Sequence, residues 1–225
     1  MIVTIDGPSA AGKSTAAREL ARRLGWRYLD SGLTYRAVGW AALETGTGLD
    51  DENAARQLMA QTQIALKYRR DEPRVLVNGQ DVTELVRTPE ISEAASAISR
   101  FPFVRKKVVA VQREAGRTKN LVAEGRDMGT VVFPEAEVKF FLHASPEVRA
   151  ERRLRDWSRM RIQADYASVL AELLNRDNRD TTREASPLRP ARDAITIDTS
   201  DLTIEQVLEV LLRKTRERCD EADMV

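Results

Sequence analysis

Ile2-Val-Thr-Ile-Asp6-Gly7-Pro-Ser-Ala-Ala-Gly12-Lys13-Ser14-Thr15 is the stretch whose reading decides the fold. Ile2, Val3 and Ile5 put apolar side chains on both faces of a short run, which predicts a parallel strand buried on both sides. From Lys13 to Leu24, Ala17, Leu20, Ala21 and Leu24 fall on one helical face. Between strand and helix, Gly7, Pro8, Ser9, Ala10, Ala11, Gly12, Lys13, Ser14 and Thr15 match G-x-x-x-x-G-K-[ST] in the context that pattern requires. Such a loop turns its backbone N–H groups inward and, with the helix N-terminus, forms a cradle for phosphate. Lys13 is expected to reach the β- and γ-phosphates of a bound nucleoside triphosphate, and Ser14 to place its hydroxyl on Mg²⁺. Asp6 is expected to support the loop or the metal's water shell.

Outward from the loop, Trp26 to Leu29 reads as a second strand ended by Asp30-Ser31-Gly32. Leu33 to Leu43 and Leu49 to Gln61 read as helices. Ile64 to Tyr68 and Val75 to Val77 are short strand-like runs followed by the turn signal Asn78-Gly79, so a small antiparallel insertion is expected. Residues 84–116 read as mostly helical, interrupted at Pro89 and Pro102. Strands then return at Leu121 to Ala123, Val138 to Leu142 and Ala194 to Ile197, with helices between Pro146 and Asp180 and from Thr203 to Arg218. Strands alternating with helices predict an α/β fold, a three-layer parallel sheet of the P-loop NTPase kind.

The 225 residues are 42% hydrophobic and 32% charged, enough to bury a core under a soluble surface. The formal charge of +1 argues against a binder whose affinity for nucleic acid comes from net charge, so anions must be met by locally arranged cations. Cys219 is the one cysteine, which excludes an internal disulfide and fits a reducing, cytoplasmic setting. No secretory signal pattern and no membrane-length apolar run is found in the sequence. His143 is the one histidine. It reads as a strand-end side chain, and Trp26, Trp40 and Trp157 read as packing residues.

Arginine outnumbers lysine 29 to 7. Most of these arginines read as surface residues, but a few stand where chemistry is expected. Arg36 follows the second strand, and Arg126 and Asp127 follow a core strand, so all leave strand ends on the side of the loop. Arg149, Arg152, Arg153, Arg155, Arg159 and Arg161 crowd one stretch. About half of them read as a solvated face, and the alternative is a mobile lid carrying cations. Arg176, Arg179, Asp180 and Arg183 share one helical face if the helix continues that far. With no histidine base, a phosphate acceptor makes sense: its attacking oxygen is already anionic, and catalysis reduces to alignment and charge neutralisation.

Several further stretches carry a resemblance. They are Asp30-Ser-Gly-Leu-Thr-Tyr-Arg36, Val77-Asn-Gly-Gln-Asp-Val82, Arg87-Thr-Pro89, Phe101-Pro-Phe-Val-Arg105, Gly125-Arg-Asp-Met-Gly-Thr-Val-Val-Phe-Pro134 and Arg176-Asp-Asn-Arg-Asp180. With the loop, they make the chain resemble, end to end, the bacterial cytidylate kinases among the P-loop nucleoside monophosphate kinases. The resemblance implies transfer of the ATP γ-phosphoryl to CMP or dCMP with Mg²⁺, giving CDP or dCDP. It implies a core of residues 1–34 and 117–225 with a lid at about 150–165. It also implies an NMP-binding region of 35–116 that includes the antiparallel insertion at about 63–85. Arg36, Arg126 and Arg183 are then expected to bind the acceptor phosphate with Ser31 beside them. Ser96, Arg105 and Asp127 are expected to read cytosine, and Arg176 and Asp180 to hold the ribose. Lys13 and Arg126 with the lid's Arg152 and Arg153 are the expected catalytic cations. Cytosine offers an N4 donor to a carboxylate and N3 and O2 acceptors to Arg and Ser; uracil reverses two of these contacts. The expected partners are small nucleotides, without nucleic acid or membrane, and the expected state is a cytoplasmic monomer.

The family usually has glycine where Ala10 stands, and Ala10 is expected in the α or β region of backbone space. Two other readings compete. A small-metabolite kinase of shikimate or gluconate type would need a base for its hydroxyl acceptor, for which Asp30 is the candidate. A nucleotide-gated RNA-binding module would use the cluster from Arg149 to Arg161.

Overall fold

A computed structural model describes residues 1–117 and 120–223. The chain divides into two compact units, Met1–Gly25 with Val122–Val225 and, between them in sequence, Trp26–Leu121.

In the first unit β1 (Ile2–Asp6) runs into the loop, and α1 (Lys13–Leu24) runs out of it. In sequence, the whole second unit lies between α1 and the other strands of this unit's sheet. Strands β6 (Leu121–Gly125), β7 (Val138–His143) and β8 (Ile195–Asp198) complete the unit's sheet in the order β6-β1-β7-β8. β1 is parallel to β7 with Val3 opposite Val138, and β7 is parallel to β8 with Phe140 opposite Ile195. Val3, Thr4 and Ile5 are all fully buried, as a strand covered on both faces requires. Helix α8 (Ile204–Asp223) packs on α1 and β7, and α1 lies against β1. Helices α6 (Pro146–Arg159) and α7 (Tyr166–Thr182) pack on each other around Ala150, Val169 and Leu173, with Trp157 against that cluster.

In the second unit β2 (Arg27–Asp30) leads directly into α2 (Ser31–Glu44). Helix α3 (Glu52–Gln61) is followed by the antiparallel strands β3 (Ile64–Arg69), β4 (Glu72–Val77) and β5 (Gln80–Asp81). Asn78 and Gly79 form the expected turn, both at positive φ (50° and 86°). Helices α4 (Pro89–Ile98) and α5 (Pro102–Ala115) complete the unit. Its core joins Leu33, Val38, Val75, Ile91, Ile98, Val104 and Val108, with Trp40 packed against it.

Several local expectations are corrected. Pro89 and Pro102 begin helices instead of interrupting one, because a first-turn proline lacks only an N–H that has no intrahelical partner anyway. The helix expected from Leu49 starts at Glu52, since the Asp51 carboxylate accepts from the Asn53 and Ala54 amides and caps it. Helix α7 stops at Thr182, so Arg183 leaves the helix in extended backbone (φ −63°, ψ 140°). Ala10 lies in the left-handed region at φ 58°, outside the region expected for it. The loop imposes that conformation despite the Cβ, which costs about 1–2 kcal/mol.

Candidate active site

The loop is built by close approach. Gly7 has φ 147°, and a Cβ there would stand 1.9 Å from the Leu142 carbonyl oxygen on β7, so no other residue fits. No acidic residue occupies the first turn of α1, and Ser14 and Thr15 are exposed at its N-terminus. The macrodipole and free amides there favour an anion.

Lys13 is buried and its ammonium donates to the Pro8 carbonyl at 2.6 Å. Burial, then the nearby Arg126, lower its pKa to about 7 against the opposing pull of Glu124 and Asp6. The lysine is thus a cation held where phosphate, when bound, would stabilise its charge.

Three arginines of α6 reach the loop region. Arg153 Nη2 donates to the Ser9 hydroxyl at 2.7 Å. Arg152 donates to the Thr199 hydroxyl at 3.0 Å and to its carbonyl at 2.5 Å, and its Nη1 is 4.0 Å from where a Cβ on Gly12 would stand. Thr199 in turn donates to the Ala11 carbonyl at 3.2 Å. Arg149 is buried: it donates to Ala144 and Ser9 carbonyls at 3.0 and 3.3 Å and pairs with Asp177 of α7 at 2.7 Å. Arg155, Arg159 and Arg161 are exposed, the solvated half of the cluster. Arg149 and Thr199 are polar residues of this site that the sequence did not single out. Arg149 was hidden in a charge run, and Thr199 has only its place after β8 as a signal.

Arg126 and Asp127 follow β6. Arg126 Nε pairs with Asp180 at 3.0 Å, and Arg183 Nη1 approaches the other Asp180 oxygen at 3.3 Å. Burial alone would raise the Asp180 pKa, but Arg126, Arg176 and Arg183 outweigh it and hold the carboxyl below its ordinary value. Asp127 is almost wholly buried at the start of a π-helical turn, Met128–Val132. One unit therefore holds Lys13, Arg126, Asp127, Arg152, Arg153, Arg176, Asp180 and Arg183. His143 does not join them: its ring is partly exposed at the end of β7, 3.9 Å from Asp198.

The second unit holds Ser31, Arg36, Ser96 and Arg105. Asp30 ends β2 and caps α2, its Oδ1 accepting from the Leu33 amide at 3.1 Å and its Oδ2 pairing with Arg36 at 2.7 Å. Burial opposes the charge on Asp30, yet Arg36, then the Leu33 amide and Arg87, overcome it and lower the pKa. Ser31 is buried in the first turn of α2, where the Gln112 amide of α5 donates to the Ser31 carbonyl at 3.3 Å and to the Thr34 hydroxyl at 2.7 Å. Arg105, also on α5, lies with its guanidinium 5.0 Å from the Tyr35 ring centroid and donates to the Ser99 carbonyl at 3.4 Å. Ser96 is half-buried on α4, its carbonyl accepting from the Ser99 hydroxyl at 3.0 Å.

Among the described residues no group of three or more acidic, histidine or cysteine side chains could hold a metal. Mg²⁺ binds through few protein ligands and completes its shell with substrate phosphates and water. The exposed Ser14 hydroxyl at the loop's helix N-terminus fits that role.

A parallel sheet carrying a strand, a glycine-bounded loop and a helix with a buried lysine defines a P-loop nucleotide-binding protein of the α/β class. A gluconokinase from Sinorhizobium meliloti 1021 shares this fold, with a TM-score of 0.52 at 12% identity over 99% of this chain and 95% of that one. Residues 3–217 match the sequence profile of the family described as Cytidylate kinase. A cytidylate kinase of Carboxydothermus hydrogenoformans is 49% identical over 94% of this chain and 96% of its own length. One of Aeromonas salmonicida is 42% identical over 98% and 96%. The chain belongs to the cytidylate kinase family.

Proposed function

We propose that the protein transfers the γ-phosphoryl group of ATP to CMP or dCMP, giving ADP and CDP or dCDP, with Mg²⁺ held by Ser14 and the nucleotide phosphates. The observation that carries this reading is the buried Asp127 beside Arg126, in the family's most specific motif, in the same unit as a loop whose lysine is buried. Gly7 to Thr15 cradle the ATP phosphates. Mg²⁺, when bound, neutralises charge on the β- and γ-oxygens. Lys13 and the lid arginines Arg152 and Arg153 meet the charge on the transferring group. Arg36, Arg126 and Arg183 bind the acceptor phosphate, with Ser31 beside them. Arg176 and Asp180 take the ribose, and Ser96, Arg105 and Asp127 take the cytosine.

The acceptor's phosphate oxygen is the nucleophile and is already ionised near neutral pH, so no side chain has to remove a proton from it. Asp30 is unsuited to the hydroxyl chemistry of a small-metabolite kinase. Both its oxygens are engaged, by Leu33 and Arg36, and its lowered pKa makes it a weak base. No described helix is long and apolar enough to cross a membrane. The working setting we infer is a cytoplasmic monomer acting on small nucleotides without nucleic acid.

An ADP-release assay across CMP, dCMP, UMP, AMP and shikimate tests the reading. CMP and dCMP are expected to give turnover well above the no-acceptor rate. If they give none, or if shikimate outpaces them, the reading fails.

A further inference from the structure

Asp6 ends β1 directly before the phosphate loop, but its carboxylate faces another segment. Oδ1 accepts from the Met128 amide and Oδ2 from the Gly129 amide, both at 2.8 Å. These amides open the π-helical turn that follows Arg126 and Asp127. The Asp127 carbonyl accepts from both the Val131 and Val132 amides, at 2.9 and 3.1 Å. The backbone at Asp127 is therefore fixed by the π turn through its own carbonyl and by Asp6 through the next two amides.

Gly129 has no room for a side chain. A Cβ there would lie 2.8 Å from the Thr4 hydroxyl oxygen, 3.2 Å from Lys139 Cδ and 3.4 Å from Asp6 Oδ2. The turn is seated directly on β1, and only glycine permits that distance. Burial, with a smaller push from Asp127, raises the Asp6 carboxyl to about 6 against its two amide donors and Lys13. A buried acid held against desolvation here answers two buried N–H groups that would otherwise lack an acceptor. π-Helical turns of this kind recur at functional sites.

We infer that Asp6 and Gly129 form a clamp by which the strand feeding the donor loop positions Arg126 and Asp127, and so sets affinity and base selectivity for the acceptor nucleotide. Both act through the backbone of Arg126 and Asp127 and are positioning residues. Displacing a reader by about 1 Å is enough to cost a large factor in rate or affinity. The inference rests on the proposed reading of Arg126 and Asp127 as acceptor-binding residues.

The test uses the full chain with four variants. Asp6→Asn keeps the side-chain shape but turns an NH₂ toward one of the two amides. Gly129→Ala introduces the clash from the other side without changing any charge. Each is expected to raise KM for CMP at least about tenfold, to change KM for ATP less than about twofold, and to lower the CMP-over-UMP ratio of kcat/KM at least about fivefold. The Thr4 hydroxyl is buried without a hydrogen-bond partner among the described residues. Removing it opens the nearest obstacle, so Thr4→Ala combined with Gly129→Ala is expected to recover at least half of the logarithmic loss.

Equal rises in both KM values, a fall in kcat alone, or unchanged kinetics overturns the clamp. If Gly129→Ala does not fold, the near-isosteric Asp6→Asn decides. Asp127→Ala run beside them separates the two layers of inference. Selectivity kept in Asp127→Ala sinks the reading of the site. Selectivity lost there but kept in Asp6→Asn sinks the clamp alone.

Discussion

Ala10 at φ 58° carries a strain that its neighbours in the loop do not. A left-handed backbone at an L-residue costs about 1–2 kcal/mol. Glycine relieves that strain but loses about 0.5–1 kcal/mol through the freedom it has when unfolded. Ala10→Gly is therefore expected to leave the Tm unchanged or raise it by up to about 6 °C, read by calorimetry. A lowered Tm would contradict the strain account. The sequence showed that alanine had replaced glycine here, but not which backbone region the residue adopts. That region is dictated by how the loop closes between β1 and α1, and no local propensity reports it.

Between elements, the buried Arg149 is the junction of α6 with the end of β7, the loop and α7 through Ala144, Ser9 and Asp177. The same helix α7 carries Arg176 and Asp180, so this pair ties the loop to the helix that carries the residues we propose for the ribose. Removing one partner leaves a buried charge uncompensated, which costs about 3–5 kcal/mol, whereas removing both strands neither. Arg149→Leu is expected to lose about 3 kcal/mol in urea denaturation, and the double variant with Asp177→Leu less than the sum of the two single losses. Strict additivity would show that the pair does not act as a unit. The run of six arginines could not reveal which one turns inward, because that depends on where α7 packs. The prolines 89 and 102 are the reverse case: the interruptions that local sequence predicts there are the starts of α4 and α5. At Pro89 the Thr88 hydroxyl accepts from the Ile91 amide and caps the new helix, whereas at Pro102 no side chain caps it and the first-turn proline alone marks the start.

At the scale of the molecule, opposed pKa shifts predict how stability varies with pH. Lys13 binds its proton less tightly folded (about 7) than unfolded (10.5), so between those values the unfolded chain holds more protons and stability rises with pH. Asp6 is shifted upward, from 3.8 to about 6, so between those values the folded chain holds more protons and stability falls as pH rises. Asp30 and Asp180, lowered by their arginines, stabilise the fold above the ordinary aspartate range and lose that contribution as the pH drops through their folded values. The urea midpoint is expected to rise between pH 7 and 9 in the parent chain and to flatten there in Lys13→Met. Its fall between pH 4 and 6 is expected to flatten in Asp6→Asn. Slopes untouched by these variants would remove both assignments. The alternation of strands and helices made the α/β class and the antiparallel insertion readable, because periodicity and the Asn78-Gly79 turn are local signals. The seating of Met128 and Gly129 on Asp6 was not readable. It joins residues 122 positions apart by backbone amides, which carry no sequence identity.

The parallel pairing of Val3 with Val138 also orders events in time. β1 leaves the ribosome ahead of its sheet partners, and its neighbour β7 emerges about 135 residues later, a delay of roughly 7–27 s at cellular synthesis rates. Until β6 and then β7 emerge, β1 has α1 against it but no neighbouring strand to take up its backbone groups, and the intervening unit can collapse on its own local contacts first. Nascent chains stalled before Phe141 are the ones that should adhere to one another or to a holding chaperone, and those stalled beyond Asp198 should not.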